Sequence, residues 1–288
     1  MIDQKIAKAK EEIEKKLEIF KDPKFSFEEE SHTYKYDGKK FDSVTTFLKT
    51  FKVPFNRIFW SKKKAAERGI DVSVILEEWQ TKSTRSTVIG TKVHKYIEDF
   101  WSGLNPELPE DPDVLERVKK FMDFYKRKLH VFHPLKAELK VFSRKWRMSG
   151  TIDQPFLFWD EKRNKVFLII GDWKTNGEFK DDNHPKGKYK RLLRPFSHLW
   201  ENHHNEYSIQ ISLYRLILEE EAGVETESGF LCHIGPDGEP KLYPALDLRE
   251  TLRAYLEDNR TNFTDVPDSD IKIFKDDFDV FDVSEETF

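Results

Sequence analysis

Three charged side chains stand where hydrophobic strands are expected: Asp153 in "GTIDQPFLFW", then Asp172 and Lys174 two apart in "VFLIIGDWKTN". A carboxylate or ammonium inside such runs loses hydration, so each needs a partner, an ion or a substrate in compensation. Strand side chains alternate faces, which puts Asp172 and Lys174 on one side and Gly171 and Trp173 on the other. If the preceding strand pairs with this one, Asp153 approaches Asp172, and two close carboxylates make a hard-oxygen site for Mg²⁺ or Mn²⁺. Lys174 beside such an ion is placed to orient or activate a water, or to stabilise charge developing on a phosphate. The chemistry implied is hydrolysis of a phosphodiester. An Asp-x-Lys pair at a strand end is also a common surface ion pair, so the neighbours must decide.

Two other segments bear on that decision. "GTKVHKYIEDFW" sets His94 and Glu98 four apart on a helix, with Gly90 early enough to admit a close approach. A core histidine paired with Glu98 would explain the same residues. In "EYSIQISLYR", Gln210 and Tyr214 are also four apart and interrupt the apolar positions Ile209, Leu213 and Leu216. A helix-surface pair would look alike.

The elements that must position these residues follow from periodicity. Ile6, Ile13, Leu17 and Phe20 share a face of a first helix, with Glu11–Lys15 and Glu12–Lys16 pairs on the other. "HTYKYDGKKF" reads as a hairpin turning at Asp37-Gly38, and Ser43 as the N-cap of "VTTFLKTF". Residues 56–129 carry a helical pattern. "LKAELKVFS", "SGTIDQPFLFW" and "KVFLIIGDWKT" read as three strands, followed by a long connection over 176–205 that is too long for an ordinary loop. An amphipathic helix then ends at Gly223, and "SGFLCHI", "EPKLYPAL" and "LRETLRAYLEDN" add two strands and a helix. The order from residue 87 is helix, three strands, helix, strand, which gives an α/β (α+β) class with a central mixed sheet flanked by helices. The expected division is an N-terminal helical elaboration over 1–85, a core over 86–260, and an acidic tail over 261–288, all within one compact unit.

Composition narrows the classes. No apolar run approaches the roughly 20 residues of a membrane-spanning helix. The single Cys232 excludes a disulfide framework, a four-cysteine zinc site and a cysteine-ligated iron–sulfur cluster, and fits a reducing, cytoplasmic setting. "MIDQKIAKAKEEIEKKLEIF" lacks a signal-peptide core and is too acidic for a mitochondrial presequence. A net charge of −4 neither suggests nor excludes nucleic acid, because binding depends on local surface. Lys186, Lys188, Lys190, Arg191 and Arg194, interleaved with Tyr189, Phe196 and Trp200, suit a single strand whose bases stack; a solvated insertion accounts for them equally. His184, His198, His203 and His204 match no closed tetrahedral zinc pattern.

The ordered set "GTKVH", "GTID", "IIGDWKT" and Gln210-x-x-x-Tyr214 resembles the RecB-like branch of the PD-(D/E)XK nucleases over most of the chain, roughly residues 43–234. The approach segments resemble phage-type RecB-like exonucleases and, distantly, the mitochondrial genome maintenance exonucleases. The resemblance implies a PD-(D/E)XK, restriction-endonuclease-like core with His94 as a metal ligand, Asp153 as the central bridging ligand, Asp172 as the second carboxylate and Lys174 as the catalytic lysine. It further implies a backbone carbonyl ligand from Trp173, Gln210 and Tyr214 holding the lysine and scissile phosphate, and Glu138 near the metals. Mg²⁺ or Mn²⁺ is the implied cofactor, and His94 favours Mn²⁺ more than an all-oxygen set would. The implied activity is that of a DNA exonuclease acting on ends of a single strand, in recombination, repair or replication. The implied setting is a viral protein in the host cytoplasm, working beside a single-strand annealing or replication protein. The rival readings are a structure-selective endonuclease of the same fold and a catalytically silent DNA-binding module. Asp172→Ala is expected to abolish turnover and leave the fold intact.

Overall fold

The computed structural model describes residues 2–29, 31, 33–181 and 190–260, and these described residues form two five-stranded mixed sheets with seven α-helices. Helix α1 (Ile2–Leu17) buries Ile6 and Leu17, and Phe20 follows in a short 3-10 turn, as the periodicity requires. The pairs on its outer face are Lys8–Glu12 and Lys10–Glu14, while Lys16 reaches the carbonyl of Gly223 instead of Glu12. Strand β1 (Phe25–Glu28) joins the expected hairpin of β2 (Thr33–Tyr36) and β3 (Lys39–Ser43). The Ser43 hydroxyl accepts from the amide of Thr46 at 3.0 Å and so starts α2 (Val44–Leu48).

Helix α3 (Arg57–Arg68) is capped by Asn56 and α4 (Val72–Trp101) by Asp71. The 30-residue α4 runs unbroken across residue 85. Asp111 caps α5 (Pro112–Phe124), where Pro112 occupies the first turn that needs no amide donor. A two-residue strand β4 (His133–Pro134) precedes β5 (Leu139–Ser143).

The segment "SGTIDQPFLFW" is two strands rather than one. β6 (Met148–Ile152) pairs with β5 and β3 in the first sheet, and β7 (Gln154–Asp160) pairs with β8 (Lys165–Lys174) in the second. The chain changes sheets at Asp153, within a run that reads as one continuous strand. After the long connection come α6 (His203–Ala222), β9 (Ser228–His233), β10 (Lys241–Pro244) and α7 (Arg249–Arg260). β9 lies parallel to β8, the order of the second sheet being β10-β9-β8-β7-β4.

Two cores follow from this layering. Ile89, Val93, Ile97 and Trp101 of α4 meet Phe121 of α5 and Phe156, Trp173 and Phe230 on one face of the second sheet. Leu157, Leu168, Ile170 and Leu231 on its other face meet α1 and α6, and α6 also packs on β5 of the first sheet. Helix α6 is therefore buried on all sides from Ser208 to Leu218, and not amphipathic as its sequence suggested. No helix among the described residues is long and apolar enough to cross a membrane.

Candidate metal and phosphate site

Alternation along β8 sends Leu168, Ile170, Asp172 and Lys174 toward α6, while Trp173 goes to the α4 side. Asp172 is 2% exposed, and its Oδ2 lies 2.8 Å from Lys174 Nζ. That contact is off the directions of a hydrogen bond, so the buried Oδ2 has no aligned donor. Burial pushes the Asp172 carboxyl up to about 6, against the pull of the lysine. Burial alone would lower the Lys174 pKa, but the Asp172 and Asp153 carboxylates outweigh it and hold the ammonium charged.

The register Gln154↔Gly171 brings Asp153 beside the end of β8, where its Oδ2 accepts from the Trp173 amide at 2.9 Å. The same Oδ2 is 3.6 Å from His94 Nδ1. Gly90, one turn before His94, lets α4 pass close to Thr175 at the end of β8: a Cβ there would stand 3.2 Å from Thr175 Oγ1. The pairing of His94 with Glu98 does not form; Lys95 takes Glu98 and Asp99, and His94 turns to Asp153.

Glu138 joins them. Its amide donates to the Asp153 carbonyl at 2.9 Å, and its φ of 48° is a conformation that costs a non-glycine residue of order 1–3 kcal/mol. One ligand atom from each of His94, Glu138 and Asp153 lies within 4.8 Å of the others, and among the described residues this is the group that meets that test. Burial first, then the Asp153 and Glu98 carboxylates, drive the Glu138 carboxyl up to about 8. Such crowding of acids is relieved by a cation, and an imidazole with carboxylate oxygens suits Mn²⁺ or Mg²⁺. The donors therefore fit a divalent ion, and Asp172, buried in its ion pair with Lys174, is a further carboxylate at the site.

Helix α6 supplies the lysine's other contacts. Gln210 Oε1 accepts from Lys174 Nζ at 3.4 Å, and Gln210 Nε2 donates to Tyr214 Oη at 3.3 Å. Both residues are buried, so they are not a helix-surface pair. Tyr214 fits because residue 150 is glycine: a Cβ there would lie 2.7 Å from Tyr214 Cε1. Tyr207, missed in the sequence, places its ring 4.0 Å from Lys174 Nζ. It stands one turn before Gln210 and two before Tyr214, and that shared helix face was the available signal.

The basic insertion is arranged differently from expectation. Lys186, Lys188, Tyr189 and His184 lie outside the described residues. Lys190, Arg191 and Arg194 are exposed, but Arg191 stacks on Trp200 at 3.4 Å and donates to the His198 carbonyl. Phe196 is fully buried against Phe51, so it cannot stack on a base as the interleaved pattern suggested. His203 and His204 are engaged by Lys180, Asn176 and Pro244. The acidic segment 261–288 also lies outside the described residues.

No family model matches the chain, and no curated protein matches it. Among solved structures, one described as a "Putative exonuclease" from Eubacterium rectale is similar with a TM-score of 0.42 and 15% identity, over 76% of this chain and 78% of that one. A likeness this slight bears on neither site nor substrate.

Proposed function

We propose that the chain is a divalent-metal-dependent nuclease that hydrolyses DNA phosphodiesters from an end, with a single strand as its substrate. The observation that supports this best is the convergence of His94, Glu138 and Asp153 beside the buried Asp172–Lys174 pair. His94, Asp153, Asp172 and Glu138 would hold the ion, with the Trp173 carbonyl as a further donor. When bound, it supplies Lewis-acid stabilisation of the phosphate and lowers the pKa of a water.

The chain's own residues do the rest. Lys174 is a fixed positive charge, preorganised by Asp172, Gln210 and Tyr207 before any phosphate arrives, and such a charge costs no reorganisation when negative charge builds on the phosphate. Tyr214 fixes the amide of Gln210 so that its oxygen faces the ammonium. The order of the motifs supports DNA as substrate, and with it a role in recombination, repair or replication. An N-terminal helical elaboration beside the core is the reason for preferring ends over closed circles.

The test uses linear and circular single-stranded DNA, labelled at either end, with Mg²⁺, Mn²⁺ or EDTA. Metal-dependent loss of linear DNA with circles intact is the expected result and gives the polarity. Cleaved circles would make it an endonuclease. Retained DNA affinity with no cleavage under any metal would leave a binding module.

A further inference from the structure

Helix α3 is built unlike the others. It buries only Ser61 and Ala65, a narrow seam of small residues against α4, and none of its apolar side chains belongs to either core. Phe55, Ile58 and Phe59 are 66%, 68% and 47% exposed. Leaving three large apolar side chains in water at one place marks a contact surface on a soluble chain. In the first half of α4 only Ile75 is buried, and Gln80 to Val88 are exposed on every side of the helix.

Cations are interleaved with these rings. Arg57, Lys62, Lys63 and Lys64 are exposed; Lys63 sits over the Trp60 ring at 5.2 Å, Phe59 lies edge-to-face with Trp60, and Phe55 lies against Trp79. Phe59 and Lys63 fall on the side of α3 away from the seam, and Lys62 lies on its flank. This is the pattern sought in the insertion, where Phe196 proved to be buried and Trp200 to carry Arg191; here Phe55 and Phe59 are open. Phosphates take the charges and bases stack on the rings, a combination that needs unpaired bases and so fits a single strand better than a duplex. The same α4 carries His94, and from residue 79 to residue 94 the helix spans about 22 Å at about 1.5 Å per residue.

We infer that the α3 face centred on Phe55, Phe59 and Lys62–Lys63 is a binding platform for single-stranded DNA that leads the strand toward the site at His94. The choice of nucleic acid rests on the proposed nuclease reading, but the test does not depend on cleavage. Binding of a labelled oligothymidylate is measured by anisotropy in EDTA, for the wild type, a Phe55→Ala/Phe59→Ala variant and a Lys62→Glu/Lys63→Glu variant.

The aromatic variant should bind about 10- to 100-fold more weakly, with duplex affinity little changed. The charge variant should reduce the slope of log affinity against log salt by roughly 2. Hydrolysis of bis(p-nitrophenyl) phosphate, too small to reach α3, should be unchanged in both, and equal melting temperatures would confirm that these exposed positions leave the fold intact. Wild-type DNA affinity in both variants would overturn the inference, and a changed oligomeric state with unchanged affinity would make the face a self-association surface instead. A wild type that binds through α3 yet cleaves nothing would refute the nuclease reading and leave the platform standing.

Discussion

Replacing Glu138 by Gln should make the metal-free protein more stable at alkaline pH. Glu138 is raised from an ordinary 4.5 to about 8 because burial and the neighbouring carboxylates disfavour its ionised form. The native state then holds a proton that the unfolded state releases. Between those values the native state binds more protons, so stability is fully present below about pH 4.5 and is lost as pH rises toward 8. The ceiling on that loss is about 1.4 kcal/mol per pH unit, or about 5 kcal/mol over the whole window. The interval from pH 6.5 to 8.5 holds at most about 2 kcal/mol of this, and residual solvent access at Glu138 reduces it to a working figure of about 1 kcal/mol. Asp172, raised to about 6, loses its share mostly below that interval, which isolates Glu138. The assay is thermal unfolding in EDTA at both pH values. Wild type should melt about 2–4 °C lower at pH 8.5 than at pH 6.5, and Glu138→Gln should be nearly flat. Added Mn²⁺ should restore the wild type at pH 8.5 and act less on the variant. Parallel pH profiles for the two proteins in EDTA would refute the reasoning.

Three other outcomes are expected. Gly150→Ala would push Tyr214 off Gln210, costing about 1–3 kcal/mol in urea unfolding and lowering kcat more than it alters KM. Tyr207→Leu should lose about 1–2 kcal/mol of support for the Lys174 ammonium, while Tyr207→Phe should retain most of it, compared by urea unfolding. Asp172→Ala, expected from sequence to fold normally, removes one partner of a buried pair and should cost about 3–5 kcal/mol; pairing it with Lys174→Met should recover most of that stability, but not activity.

Much of the site was legible because strand alternation depends only on position. Asp172 and Lys174 had to share a face, and the Asp37-Gly38 hairpin and the Ser43 cap rest on equally local chemistry. The break at Asp153 was hidden because a single residue separates the two strands, and the sheet that β6 joins depends on β3, far away in sequence. Burial of Gln210 and Tyr214 was missed because it depends on a second sheet closing over α6, which no local period encodes. Phe196 misled for the same reason: its cationic neighbours face water while its own ring is held against Phe51, a residue far away in sequence.

The central claim is that the carboxylates gathered at Asp153 hold a divalent ion that cleavage requires. Its most direct test is single-turnover cleavage of end-labelled single-stranded DNA across a Mn²⁺ titration, comparing wild type with Asp153→Asn. Wild type should cleave only with metal, and the variant should be slower by about 100- to 1,000-fold at every Mn²⁺ concentration while keeping its circular dichroism spectrum. Equal rates for the two proteins, or cleavage that persists in EDTA, would contradict the account.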